Sequence, residues 1–435
     1  MKQVAKKTVA CLLIAGMVAG MTACATPAPT PAKDSSTPSS PDEKITLSYW
    51  HIMTDGPGKP MIKGIIDTWN TENPNVQIEA SVTLNDPYKT KIKTAIAANE
   101  APDIIYSWTQ GFAQPFVKAG KILCLDDYLD DETMSKMLPG ALDNITYDGK
   151  VYGLTYAQQA SALYMNADLF AQYDVKAPTT FDELLTAIKT FKDNGIVPMA
   201  LGNKDEWPGM WLYDMLALRT GGSDLTISSL ENKTSFTEKP FADAASSILA
   251  LVDAGAFDAG VMGLTADEAN ASFIQGKAAM VYGGNFWAMN FAADETFCDK
   301  VQIMPFPSIE GGQGDPTEYI GGGSDALLVN ANSEHKDEAV AAIKYLAPEI
   351  STQSYQLGVS LPEWKYDGVD VSNLDSLTLQ IMDNIVKDSS GSVPAWDIFL
   401  TGAKAQTHKD LVAQLFGKTI TAEEFAQQMQ SQVNG

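Results

Sequence analysis

Most tryptophans in this chain stand where strands end or where loops lead into helices. A core tryptophan would more typically fall within the apolar stripe of a helix, as Trp69 does. A tryptophan at a strand end can instead present a large, flat, apolar ring to a ligand. For any single one, packing in the core remains open. The six in such positions are Trp50, Trp108, Trp207, Trp211, Trp287 and Trp396.

Carboxylates near these tryptophans could bind the polar edge of the same ligand. Asp55 follows the first strand, Asp325 follows three glycines, and Asp397 follows Trp396. Each could equally be a helix cap or a solvated charge. A buried polar group that finds no hydrogen-bond partner costs about 1–3 kcal/mol, so contacts with the polar edge would decide which ligands the site accepts. The chemistry these residue types offer is noncovalent binding of a ligand with one apolar face.

Motifs for covalent catalysis are missing from the sequence. There is no G-x-S-x-G nucleophile elbow and no H-E-x-x-H, and the 321–323 glycine run lacks the lysine of a phosphate-binding loop. Three scattered histidines argue against a histidine-based metal site. Neither a metal nor a cofactor is expected. A pair of carboxylates, as in glycosidases, stays open because Asp and Glu are abundant.

The net charge of the chain argues against two classes of binding partner. With 54 acidic against 30 basic residues, the chain carries a net charge of −24. This charge argues against nucleic acid and anionic lipid as partners. A length of 435 residues predicts two or three domains. Cys124 and Cys298 are far apart, without zinc-type spacing, and could form a disulfide or remain buried thiols.

The first 44 residues are typical of an exported protein. Basic residues precede an apolar run over 8–21 that is short for a membrane span, and small residues then lead to Cys24. This pattern resembles a lipobox, which implies cleavage after residue 23 and lipidation of Cys24. The alternative is a plain secretion signal with a coincidental cysteine. Residues 24–44 are rich in Pro, Thr and Ser and are expected to form a flexible linker.

The next segment has the order β-α-β-α-β, with strands predicted at 45–50, 76–82 and 104–106. That order indicates a mostly parallel sheet with crossover helices. In such sheets ligands bind beyond the carboxyl ends of the strands. Trp50 and Trp108 lie at two of those ends, and Tyr88 lies at the start of a nearby helix.

A polar stretch over 157–161, between strands predicted at 151–156 and 162–165, is interpreted as a hinge between two lobes. Its glutamines, Gln158 and Gln159, would then face a cleft; the alternative is an ordinary surface loop. A second crossing is expected where Gly322, Ser324 and Asp325 precede a strand, and a third near 357–362. Later helices are predicted over 334–346, 374–386 and 396–416.

Four segments, in this order, resemble the family 1 extracellular solute-binding proteins, the sugar-capturing lipoproteins of ATP-binding-cassette (ABC) importers. They are PDIIYSWTQGFAQPFVKAGKILCLDDYL, DGKVYGLTYAQQASALYMNADLF, FIQGKAAMVYGGNFWAM and GGGSDALLVNANSEHKDEAVAAIKYL. The resemblance runs from about residue 45 to the C-terminus. It implies an α/β, two-lobed periplasmic-binding-protein-like fold of type II, with three hinge crossings and a ligand cleft. Residues 45–156 and 320–357 would form the first lobe, and 157–319 and 358–435 the second.

Matching the family's motifs residue by residue implies a set of ligand contacts. The maltose-binding branch has acidic residues near the positions of Gly111 and Gln159, which this chain lacks, so the resemblance does not imply maltodextrin specificity. The implied contacts are Trp50, Trp108, Gln110 and Gln159 in the first lobe, and Trp207, Trp211, Asn285, Trp287 and Trp396 in the second.

The ligand implied by the resemblance is a carbohydrate, because a pyranose has an apolar C–H face and an edge of hydroxyls. A membrane permease would be the protein partner. The chain itself would be a monomer, held through Cys24 on the extracytoplasmic face of the cell membrane. Two other classes stay open: a secreted glycosidase and a structural surface lipoprotein without a cleft.

Overall fold

The computed structural model describes residues 44–434 apart from five positions, namely 55, 139, 367, 373 and 401, and apart from the side chain of Asp86. The predicted signal peptide, Cys24, the linker up to residue 43 and Asp55 therefore lie outside the described residues. Within the described part, no helix has both the length and the apolar character needed to cross a membrane.

Twelve strands occur in the described residues, and ten of them belong to one mixed sheet. The remaining two, β4 and β5, form a small hairpin. The strands are β1 (Ile45–His51), β2 (Val76–Val82), β3 (Ile104–Trp108), β4 (Thr146–Tyr147), β5 (Lys150–Val151), β6 (Leu154–Asn166), β7 (Val197–Ala200), β8 (Ala278–Gly284), β9 (Val301–Met304), β10 (Tyr319–Val329), β11 (Leu361–Pro362) and β12 (Ser392–Val393).

The main path of the sheet is β2-β1-β3-β10-β6-β8-β7. Strands β2, β1 and β3 run parallel, as the β-α-β-α-β order predicts, and β7 and β8 are also parallel. The two long central strands, β10 and β6, pair antiparallel with each other and join these two parallel groups. Outside the path, β9 and β11 pair with β6, and β12 pairs with β10.

Sixteen α-helices accompany these strands in the described residues, and their bounds follow in chain order. They are α1 (Gly58–Glu72), α2 (Asn85–Ala98), α3 (Gln110–Lys118), α4 (Asp131–Ser135), α5 (Ala167–Gln172), α6 (Phe181–Asp193), α7 (Trp207–Leu230), α8 (Lys239–Ala254), α9 (Ala266–Ile274), α10 (Ala288–Ala292), α11 (Glu295–Cys298), α12 (Lys336–Gln356), α13 (Ser376–Ile381), α14 (Trp396–Phe399), α15 (Ala403–Phe416) and α16 (Ala422–Gln432).

The buried apolar residues form two separate cores, which correspond to two lobes. The first core draws on residues between 47 and 157 and between 326 and 350, together with Trp364. The second draws on residues between 160 and 320, on Leu361, and on the chain from Leu377 onward. Each core buries the apolar stripes of its own helices, such as Ile62, Ile65, Ile66 and Trp69 of α1.

The predicted hinge at 157–161 is extended strand rather than irregular chain. Strand β6 runs unbroken from the first core to the second. Strand β10 pairs with it from Leu154 to Ala160, and β11 pairs at Ala157 and Gln158. Because partner strands satisfy its backbone groups, a polar stretch without an apolar period can remain extended.

Three helix predictions differ from the structure. Helix α12 extends ten residues beyond the predicted end and includes Pro348, because its buried face continues through Ile350 and Tyr355. The segment predicted as one helix over 396–416 is two helices, α14 and α15, separated near Gly402, whose φ of 54° does not fit a helix. The predicted helix at 374–386 begins at Ser376 and ends in a π-helical turn.

The two remaining cysteines are free thiols. Cys298 is buried with its Sγ 3.3 Å from Ser376 Oγ, whereas Cys124 is partly exposed. Of the two alternatives left by the sequence, the structure favours free thiols over a disulfide.

Candidate ligand-binding site

A cavity of about 790 Å³ lies between the two lobes. Its walls combine aromatic rings with a few charged and amide side chains, which is the usual composition of a small-molecule site. Both cores contribute: Trp108 and Phe116 come from the first, and Trp211 and Leu400 from the second. A ligand in this cavity would contact both lobes at once.

The first-lobe wall is built where β3 ends and α3 begins. Trp108 is the last residue of β3 and pairs in register with Asp325 of β10. Its ring lies 5.0 Å from that of Tyr106 and 4.9 Å from that of Phe112, both in edge-to-face contact. Only 8% of Trp108 is exposed, so neighbouring side chains hold its ring in place.

Asp325 is the carboxyl group on this wall. It opens on the cavity and accepts a 2.8 Å hydrogen bond from the Tyr106 hydroxyl. Burial raises the pKa of Asp325 to about 6, although the Tyr106 bond acts in the opposite direction. The hydroxyl of Tyr88 donates to the Tyr106 carbonyl at 2.7 Å behind the wall. Asp325 can therefore change between its charged and neutral forms near pH 6.

The second-lobe wall consists of three rings packed against one another. Trp207 begins α7 and lies 6.1 Å from Trp211, one turn later on the same helix. Phe286, which follows β8, lies 5.9 Å from Trp207 and 5.7 Å from Trp211. These rings supply apolar surface without a charge among them.

The two lobes meet beside the cavity, where α3 approaches α14. A Cβ at Gly111 would lie 2.0 Å from the Phe399 carbonyl oxygen, so this approach requires glycine. Ile398 packs against both cores at the same place. The lack of an acidic residue at Gly111, seen in the sequence, therefore has a steric reason.

Six of the predicted ligand residues line the cavity. The structure brings them together from β3, the β6–β10 pair, the start of α7 and α14. They are Trp108, Gln159, Trp207, Trp211, Asp325 and Asp397.

Four predicted aromatic residues do not line the cavity, because other side chains cover them. Tyr88 is fully buried behind Trp108, and Trp50 lies under the ammonium of Lys91 at 3.8 Å. Trp287 is 5% exposed and packs behind Trp207, with 5.6 Å between ring centroids. Trp396 is fully buried in the second core.

The other predicted polar side chains form hydrogen bonds within the protein instead of lining the cavity. Gln158 Nε2 donates to the Pro362 carbonyl at 2.9 Å, and Gln110 Nε2 donates to Asn144 Oδ1 at 2.6 Å. Asn285 Oδ1 accepts the Ala160 N–H at 2.9 Å. The two remaining residues, both buried beside these bonds, are Gly322 and Ser324.

Several cavity residues were missed from the sequence. Phe112 and Phe286 lie in segments already selected for their tryptophans, so their proximity was a usable signal. Lys89 and Lys93 are four residues apart on α2, which places them on one helix face, but lysine pairs are common on solvated surfaces. Nothing in the sequence connects them with Lys409, which lines the same cavity from α15. In the described residues, no group of His, Cys, Asp and Glu is arranged to hold a metal ion.

Comparison with known proteins agrees with this architecture. A chain from work on xylan utilisation by the thermophilic bacterium Caldanaerobius polysaccharolyticus is 60% identical, with a TM-score of 0.87; the match covers 89% of this chain and 100% of that one. A chitin oligosaccharide binding protein is 27% identical, with a TM-score of 0.82, covering 90% and 99%. These similarities confirm the two-lobed, type II fold.

Sequence comparison leads to the same family. The "Multiple sugar-binding protein" of Streptococcus mutans serotype c is 22% identical over 327 residues, 74% of this chain and 75% of that one. Residues 54–349 match the family described as "Bacterial extracellular solute-binding protein". This chain therefore belongs to the bacterial extracellular solute-binding protein family.

Proposed function

We propose that this protein captures a xylan-derived oligosaccharide in the cavity between its lobes and delivers it to an ABC permease. The coarser function, sugar binding for an ABC transporter, follows from the family and its sugar-binding relatives. The observation that carries the proposal is the cavity itself, with opposed walls at Trp108 and Trp207 and a carboxyl at Asp325. The sugar class rests on the 60% identical chain from xylan utilisation.

The chemistry of the walls supports this ligand. A xylopyranose has no exocyclic CH₂OH group, so its ring faces are flat and can stack on indole. Gln159, Asp325 and Asp397 offer acceptors and donors for ring hydroxyls. Because the ligand contacts both lobes, it binds the closed form better and shifts the population toward closure.

The finer features of the proposal come from the sequence. The lobes comprise residues 45–156 with 320–357, and 157–319 with 358–435; the separation of the two cores supports this division, except that Ile320 packs in the second core and Trp364 in the first. The protein acts as a monomer that binds its ligand without cleaving it. Lipidated Cys24 anchors it to the extracytoplasmic face of the cell membrane, and residues 24–44 act as the tether.

The test is calorimetry and thermal shift of residues 44–435 against xylo-, cello-, malto- and chito-oligosaccharides, with amino acids and peptides as controls. Micromolar or tighter binding of xylo-oligosaccharides, with a raised melting temperature, is expected. Binding of a different sugar series would overturn the xylan assignment but keep the sugar receptor. Chromatography of the same mixtures after prolonged incubation should show no cleavage products; their appearance would favour the glycosidase alternative.

A further inference from the structure

The cavity has lysine side chains to which the sugar contacts proposed above assign no role. Five charged side chains line the cavity in the described residues, and three of them are lysines. Lys89 and Lys93 project from one face of α2 in the first lobe, and Lys409 projects from α15 in the second. In a protein with a net charge of −24, three lysines against two carboxyl groups, Asp325 and Asp397, give this cavity a slight excess of positive charge.

Aromatic rings hold two of these ammonium groups at the cavity wall. Lys89 Nζ lies 5.2 Å from the centroid of the Trp108 ring, and Lys93 Nζ lies 4.9 Å from that of Phe112. Such cation–π contacts are worth about 0.5–1 kcal/mol at exposed sites. Both rings line the cavity, so the contacts keep the positive charges beside any bound ligand.

Lys93 and Lys409 form no salt bridge with the described residues. Partial burial, with the positive charges of Lys89 and Lys409, lowers the pKa of Lys93, and the negative charge of Asp397 acts in the opposite direction. Like charges thus approach one another from the two lobes. Their repulsion opposes closure, and Asp397, which lines the same cavity, offsets only part of it.

We infer that this side of the cavity binds a carboxylate on the ligand, so that the preferred oligosaccharide carries a uronic-acid substituent. Lys93 and Lys409 bind the carboxylate from opposite lobes, while the tryptophans hold the neutral sugar rings. Ionic contacts from both sides turn the repulsion between the lobes into attraction, which couples recognition of the acid to closure. This inference rests on the proposed function, because it assumes that the cavity holds an oligosaccharide.

Calorimetry with three probes tests it: an unbranched xylo-oligosaccharide, the same chain with one glucuronic acid branch, and the same chain with that branch reduced to glucose. The measured quantity is the Kd of the glucose-branched probe divided by that of the glucuronic-acid-branched probe. At low salt we expect a ratio of about ten or more for the unaltered protein. Lys93→Gln and Lys409→Gln should each lower the ratio, and together should bring it near one. Raising the salt concentration tenfold should lower it as well.

Lys91→Gln is the matched control. Lys91 lies on the same helix, but its ammonium contacts Thr83 Oγ1 at 3.1 Å and the Trp50 ring, outside the cavity. Its ratio should equal that of the unaltered protein, and circular dichroism and melting curves should show that all variants fold. Two results would overturn the inference while leaving the proposed function intact. The first is a ratio below two in the unaltered protein, and the second is a ratio in the double variant that equals that of the unaltered protein. If none of the three probes binds, the proposed function fails, and the inference fails with it.

Discussion

Trp207 and Trp396 have nearly the same local setting and opposite roles in the structure. Each is the first residue of a helix in the second lobe, directly after a loop. Trp207 is half-buried and lines the cavity, whereas Trp396 is fully buried. Position at the start of a helix therefore does not decide whether a tryptophan can meet a ligand.

The difference comes from residues distant in sequence. Trp396 stacks on the imidazole of His408, with 4.8 Å between centroids, and Tyr213 and Phe236 cover its other sides. The Asp214 carboxyl accepts the Trp396 backbone N–H at 3.0 Å and lies 2.9 Å from His408 Nε2. Burial raises the pKa of Asp214 well above its usual range and lowers that of His408 to about 3, so the uncharged forms are favoured.

The largest expected effect is a loss of stability when the buried Trp396 is replaced. Trp396→Ala removes a fully buried indole and leaves a cavity in the second core, so the free energy of unfolding should fall by about 3–5 kcal/mol. Denaturant titration monitored by circular dichroism measures this change. At a temperature where the variant is folded, its sugar affinity should stay within about threefold of the original. A large loss of affinity with little loss of stability would place Trp396 in the site after all.

Trp287 is the intermediate case, since it supports the wall without reaching the cavity. Trp287→Ala should lower stability by about 3 kcal/mol, because the ring is buried. It should also weaken sugar binding about tenfold, because Trp207 loses the ring against which it packs. Denaturation and calorimetry on the same preparation separate the two effects. Unchanged affinity would mean that Trp211 and Phe286 suffice to hold Trp207.

Trp207→Ala should show the reverse of Trp396→Ala. Stacking one sugar ring removes roughly 60–80 Å² of apolar surface from water, so losing the indole should weaken binding about tenfold to thirtyfold. Stability should change by less than about 1 kcal/mol, because the ring is only half-buried. Calorimetry measures the affinity, and Trp207→Phe, which keeps a ring, is the control that should retain most of it. Equal affinity in the alanine variant would remove Trp207 from the site.

The smallest effect concerns charge, and it distinguishes the polar contact from the stacking contacts. The pKa of Asp325 is raised to about 6, so its carboxylate is present above that pH and is lost as pH falls through it. A hydrogen bond to a charged group contributes about 1 kcal/mol more than a bond between neutral groups. Affinity for a neutral sugar should therefore fall about fivefold from pH 7.5 to 5.

Two variants test this assignment by calorimetry across the same pH range. Asp325→Asn should abolish the pH dependence, since its amide oxygen can still accept from Tyr106. Trp207→Ala should weaken binding at every pH and keep the pH dependence. A pH dependence that persists in Asp325→Asn would assign the titration to another group.

The first lobe shows how far local patterns reach. The alternation of apolar and polar residues over 76–82 correctly predicted a strand, and the apolar stripe of α1 correctly predicted a helix. Each pattern depends only on residues that are close together in the sequence. In the second lobe, α6 and α16 also begin at local signals, because capping boxes at Thr180 and Thr421 have both reciprocal bonds formed. The continuity of β6 was missed, because its polar centre is extended only through pairing with β10 and β11.

The sequence by itself determined the α/β class, the parallel strands of the first lobe, the family, and a set of candidate tryptophans, three of which line the cavity. These follow from short-range periodicity and from ordered segments of the chain. Only the tertiary structure decided which aromatic residues open on the cavity, that Gln158 and Asn285 bind backbone instead of ligand, and that Lys93 and Lys409 line the same cavity. Exposure and charge at a site are set by neighbours hundreds of residues apart, and no local pattern records which neighbours those will be.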